Sequence, residues 1–76
     1  METLVHTSHC NIAGEEYEVF IFRRADGSHV AKTIFTPSDV IINDGASLEE
    51  VLARHQRLLP LAVNSRELLH AARRSS

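Results

Sequence analysis

The stretch Ser47–Leu59 constrains this chain more than any other. Leu48, Val51, Leu52, His55, Leu58 and Leu59 recur at the three- and four-residue spacing that gathers side chains on one stripe of a helix. Ser47 and Glu50 have the spacing of a capping box, in which the hydroxyl accepts from a first-turn amide and the carboxylate reaches back to the Ser47 amide. Glu50 and Arg54, four apart, stand in the favourable order for a surface ion pair. Gly45 suits a turn just upstream. Pro60 has no amide proton, so it stops or kinks the helix.

The rest of the chain supplies partners for that stripe. Tyr17, Val19 and Ile21 alternate with Glu18, Phe20 and Phe22, giving a strand over Glu15–Arg24 that is apolar on both faces. Asp26-Gly27 marks a hairpin, and His29–Thr36 returns beside the first strand. Thr36-Pro37-Ser38-Asp39 reads as a second turn, and Val40-Ile41-Ile42 as a third, short strand. Thr3–His9 alternates poorly and is either an edge strand or a disordered leader, the strand being preferred. Cys10–Gly14 reads as a connection. Beyond Pro60, Leu61-Ala62-Val63 is either extended or the continuation of a kinked helix. Asn64 or Ser65 can cap a new helix, and Asn64 and Glu67 repeat the capping spacing, so a short second helix is expected near 65–74, with Leu68, Leu69 and Ala72 on its apolar side and Ser75 and Ser76 frayed. The expected fold is α+β: one domain over residues 1–76, a three-stranded antiparallel meander packed on one amphipathic helix, with a short C-terminal helix.

Cys10 is the only cysteine, so no disulfide forms within one chain, and a lone thiol suits a reducing compartment. No apolar run approaches the roughly 20 residues of a membrane span, and Met1–Cys10 lacks the basic start and apolar centre of a signal peptide. A cytoplasmic protein with no membrane association is the expectation. The net charge of −2 hides a division: residues 1–50 carry three basic against nine acidic groups, residues 51–76 five against one. The acidic and basic parts either complement each other within one fold or leave Arg54, Arg57, Arg66, Arg73 and Arg74 as a cationic surface for nucleic acid.

Groups able to carry chemistry do not converge. His6 and His9 face opposite ways on a strand and Cys10 adjoins His9, whereas a closed zinc site needs three or four converging ligands. Neighbouring strand side chains point apart, so His9 is not placed to activate Cys10 as a nucleophile. Asp26, Asp39 and Asp44 lie in turns, where aspartate serves the backbone. No phosphate-binding glycine motif runs through Gly14, Gly27 or Gly45. Neither catalysis nor a cofactor is expected. His55 falls inside the apolar stripe: it is a core-rim histidine with a bonded ring nitrogen, or a pH-sensitive contact at an interface.

Tyr17-Glu18-Val19, Asp26-Gly27 and Gly45-Ala46-Ser47-Leu48-Glu49-Glu50-Val51-Leu52 occur in the order strand, hairpin, strand, short strand, capped helix. That order resembles the N-terminal domain of HicB-like antitoxins, a reduced ribonuclease-H-like fold. The resemblance implies a topology over little more than half the chain, and no functional residue is carried over from it.

Two function classes follow. One is a small non-catalytic protein-interaction module, self-associating, antitoxin-like or an adaptor; the other is a nucleic-acid-binding accessory protein using the five arginines. Val19–Phe22 is apolar on both faces, while one helix covers one face of a sheet. Either the segment Leu61–Ala72 or a second copy must cover the other. A homodimer is expected, its interface drawn from Phe20 and Phe22 or from His55, Leu58, Leu59, Leu68 and Leu69.

Overall fold

A computed structural model describes residues 1–74 of the chain, with side chains as far as Leu69. The element order is β1 (Thr3–Ile12), β2 (Glu15–Arg23), β3 (His29–Thr36), β4 (Asp39–Gly45) and α1 (Leu48–Arg74). The strands form one antiparallel sheet in chain order, β1-β2-β3-β4, and α1 lies across it. The fold is α+β as expected. Among the described residues there are four strands where three were expected in the meander, and one helix in place of two.

β1 is the added strand, paired with β2 from Thr3 to Ile12. The segment Cys10–Gly14 is therefore mostly strand, and the connection shrinks to Ala13-Gly14, both with positive φ (53° and 84°). Positive φ at both central residues is the two-residue hairpin turn whose twist matches the flanking strands. Alanine at the first of these positions hid the turn, since Asn or Gly is the usual signal. The β2–β3 hairpin is closed by Gly27 N–H donating to Arg24 O (3.0 Å), with Gly27 in the left-handed region. Asp26 Oδ1 accepts from both the amide and the hydroxyl of Ser28 (2.9 and 2.6 Å), which holds its carboxyl below the usual range. In the β3–β4 turn Thr36 pairs with Asp39 across Pro37-Ser38, as the sequence suggests.

α1 starts at the expected cap. Ser47 Oγ accepts from the Glu50 amide (3.1 Å). Glu50 reaches back one residue further than expected, to the Ala46 amide (3.1 Å), while its other oxygen takes Arg54 (2.7 Å). Gly45 does more than turn: a Cβ there would lie 3.0 Å from Val51 and 3.1 Å from the Glu50 carboxyl, so its lack of a side chain lets β4 meet the first turn.

Pro60 neither stops the helix nor begins an extended segment, and Asn64 and Ser65 are interior positions rather than caps. The missing amide costs a bond to the carbonyl of Gln56, but Gln56 and Pro60 are both exposed, where water can serve that carbonyl. On the opposite side Leu59 and Val63 are buried, so packing carries the helix through the proline. Arg66 fastens the far side by a bidentate pair to Asp39 at the start of β4 (2.7 and 2.5 Å).

Register settles which residues meet α1. Val19 and Ile21 of β2 and Ala31 of β3 form the core with Val51, Leu59 and Val63. Three polar side chains share it. Thr33 donates its hydroxyl hydrogen to Glu18 O (2.9 Å), so His55 Nε2 must be the donor to Thr33 Oγ1 (2.7 Å). His55 Nδ1 is then free to accept from Asn43 Nδ2 (3.4 Å), which also donates to Val51 O (3.0 Å). Each buried group finds a partner only if the imidazole is neutral. Burial likewise pushes the pKa of His55 down.

Candidate functional site

The side of the sheet away from α1 is left uncovered. Pairing places Leu4, Phe22 and Val30 in one row, Phe20 and Lys32 with Ile42 in the next, and Ile34 with Val40 beyond them. Leu4 (51 %), Ile34 (58 %) and Ile42 (57 %) are well exposed, Phe20 and Phe22 half-buried. Val30 is fully buried yet stands outside the cluster beneath the helix. Lys32 lies over the Phe22 ring, its ammonium 4.9 Å from the centroid and 2.9 Å from Glu2. Glu2 also pairs with Arg24 (3.6 Å), which reaches Asp44 (3.4 Å). The Lys32 contact, joined by Arg24, lowers the Glu2 pKa. One end of the face thus carries an internally neutral cluster. The other carries Glu16 and Glu18, with His9 3.8 Å from Glu18.

The residues considered for an interface divide. His55 and Leu59 are 0 % exposed and point into the core, so neither lies on a surface a second chain can reach. For His55 the bonded core position is the one found. Leu58, Leu61, Leu68 and Leu69 are exposed on α1, and Leu69 borders the space between the helix and the sheet. Because the chain beyond Pro60 continues the same helix, it stays on the side that α1 already covers. It does not reach the Phe20/Phe22 face.

The arginines divide too. Arg54 is committed to Glu50 and to Asp44 O (2.6 Å), and Arg66 to Asp39. The Asp39 pair keeps the Arg66 pKa raised and that of Asp39 lowered. Arg57 is exposed and has no ion pair among the described residues. The side chains of Arg73 and Arg74, like Ala72 and the expected frayed Ser75 and Ser76, lie outside the described residues. A cationic surface built from all five is therefore not assembled by the described side chains. His6 pairs with Ile21 and His9 with Glu18, which puts the two rings on opposite faces. No helix among the described residues is long and apolar enough to cross a membrane.

A groove was not foreseen. It lies between the β2–β4 end of the sheet and the C-terminal part of α1, with a volume of about 440 Å³. Tyr17 and Phe35 meet edge to face (5.6 Å) on its floor, and the Arg66 guanidinium lies 4.4 Å from the Phe35 centroid. Glu15 and Glu67 stand at its rim. Only the helix running past Pro60 creates this wall, so the groove exists only in the helical one of the two alternatives for Leu61–Val63.

No family model matches this chain, and neither a curated protein nor a solved structure does.

Proposed function

We propose that the protein is a small non-catalytic interaction module that works as a homodimer, the two copies packed through the open faces of their sheets. The observation that carries this reading is the uncovered face bearing Leu4, Phe20, Phe22, Ile34, Val40 and Ile42. Two covers were available to it, the C-terminal segment or a second copy, and the C-terminal segment lies on the other side of the sheet. Face-to-face sheet packing about 10 Å apart is a standard way to bury such a surface. Four strands of this length present about 500 Å² in projection, which places the dimer at the small end of specific interfaces.

Charge selects the orientation. A two-fold axis along the strands would set the Glu16/Glu18 end of one copy against the same end of its partner. An axis across the strands sets it against the Arg24/Lys32 end instead, and avoids that repulsion. An antitoxin-like or adaptor role would use such a dimer as its scaffold.

Sedimentation equilibrium tests the reading. The chain is expected to pass from dimer to monomer over micromolar dilution, and Ile42→Glu to remain monomeric and folded. A wild-type monomer at all concentrations overturns it. So does loss of the dimer in Leu61→Lys/Leu68→Lys with Ile42→Glu unaffected, which would move the contact to α1.

A further inference from the structure

The groove beside Arg66 lies on the helix side of the sheet, away from the proposed dimer face, and has the chemistry of a receptor for one kind of group. Its floor is aromatic and apolar, formed by Tyr17, Phe35, Val63 and Leu69. Its charged lining is Glu15, Asp39 and Glu67 against Arg66, a balance of −2. Arg66 neutralises Asp39. Among the described residues Glu15 and Glu67 have no ion-pair partner. Both carboxylates act on the Tyr17 hydroxyl, whose pKa is raised first by burial and then by each of them. These two carboxylates, without an ion pair among the described residues, therefore flank the aromatic floor.

Arg66 shows what this wall accepts, since its guanidinium lies over the Phe35 ring and is held by two hydrogen bonds to the Asp39 carboxylate. A planar cation gains from a ring face below and from carboxylates at its edge, and arginine supplies both contacts at once. We propose that the groove binds an arginine side chain from an extended segment of a partner protein. The incoming guanidinium lies over the Tyr17 ring between Glu15 and Glu67, and the apolar residue two positions along the extended segment, on the same side as the arginine, packs on Leu69 and Val63. The volume suits one arginine and a neighbouring side chain, and its edge opens to solvent, as a segment entering from outside requires.

Tyr17 is the only tyrosine and the chain has no tryptophan, so its emission reports this groove directly. Titration with a capped Leu-Ala-Arg-Ala-Leu peptide is expected to change that emission saturably and to shift the amides of Tyr17, Phe35, Val63 and Leu69. The same peptide with citrulline for arginine keeps shape and loses charge, and should bind about tenfold more weakly or worse. Glu15→Gln/Glu67→Gln, both at exposed positions, should weaken the arginine peptide by about the same factor while the far-ultraviolet dichroism stays unchanged. The dimer-face variant Ile42→Glu should bind it as the wild type does, so failure of the dimer and failure of this site are told apart. Equal binding of the citrulline peptide, shifts centred on another surface, or no saturation at millimolar peptide overturns the proposal.

Discussion

A histidine held neutral in a core brings a pH dependence with it. The Thr33–His55–Asn43 chain satisfies every buried group only with an unprotonated imidazole, and burial lowers its pKa from the ordinary value. Above about pH 6.5 the ring is neutral in both folded and unfolded chains, and the network contributes in full. Below it the unfolded chain takes up a proton that the folded one refuses, so stability falls until the pH reaches the folded-state value. Urea unfolding at about pH 7.5 and about pH 5.5 should show this loss, and His55→Leu should be less stable at the higher pH with a flatter dependence. A steeper slope in His55→Leu would count against the neutral network. Gly45→Ala should destabilise through contact with Val51 and Glu50, by about 1–3 kcal/mol. Ala13→Asn, which fits the left-handed turn better, should stabilise by about 0.5–1 kcal/mol. Chemical denaturation reads both changes. The helical spacing of His55 was legible in the sequence. Its partners were not, because Thr33 and Asn43 reach it through a sheet register that no local pattern fixes.

Elements were legible where local signals and tertiary packing agree. The Ser47 cap, the Glu50–Arg54 pair and the hairpins around Gly27 and Pro37 all stand as read. β1 was harder to read because the strand is an edge, with most of its side chains exposed, so apolar alternation is weak. Pro60 misleads for a different reason. Its local penalty is real, but Leu59 and Val63 on the buried side and Arg66 on Asp39 hold the helix across it. Pro60→Ala should therefore keep the fold and raise stability, by up to about 3 kcal/mol, since the restored amide can donate to the Gln56 carbonyl. A rise in the thermal midpoint with unchanged helical content checks this; a lower midpoint would mean the proline ring itself is needed.

At the scale of the molecule, the acidic and basic parts of the chain meet within one fold, through Arg54 on β4 and Arg66 on Asp39. That arrangement removes two of the arginines otherwise available to nucleic acid. The open sheet face followed from the two-sided strand at Val19–Phe22, but which segment would cover it did not, because the answer depended on Pro60. The proposed self-association through that face would make the thermal midpoint concentration-dependent. Raising the protein from about one to about one hundred micromolar should lift the wild-type midpoint and leave that of Ile42→Glu fixed. A midpoint indifferent to concentration in both would speak against the dimer.

The strand order follows the chain order, and the helix comes last. Every strand pairing is thus a hairpin between neighbours, so the sheet closes through short loops and can form early and quickly. During synthesis the four strands are complete before Leu59 and Val63 exist to cover them. For that interval both sides of the sheet are bare, Val19 and Ile21 on one and Phe20 and Phe22 on the other. The two sides become different only when α1 arrives, and before then a second nascent chain meets both as adhesive surfaces. The order in which the ribosome delivers this chain therefore makes the interval before the helix its moment of greatest exposure to misassembly.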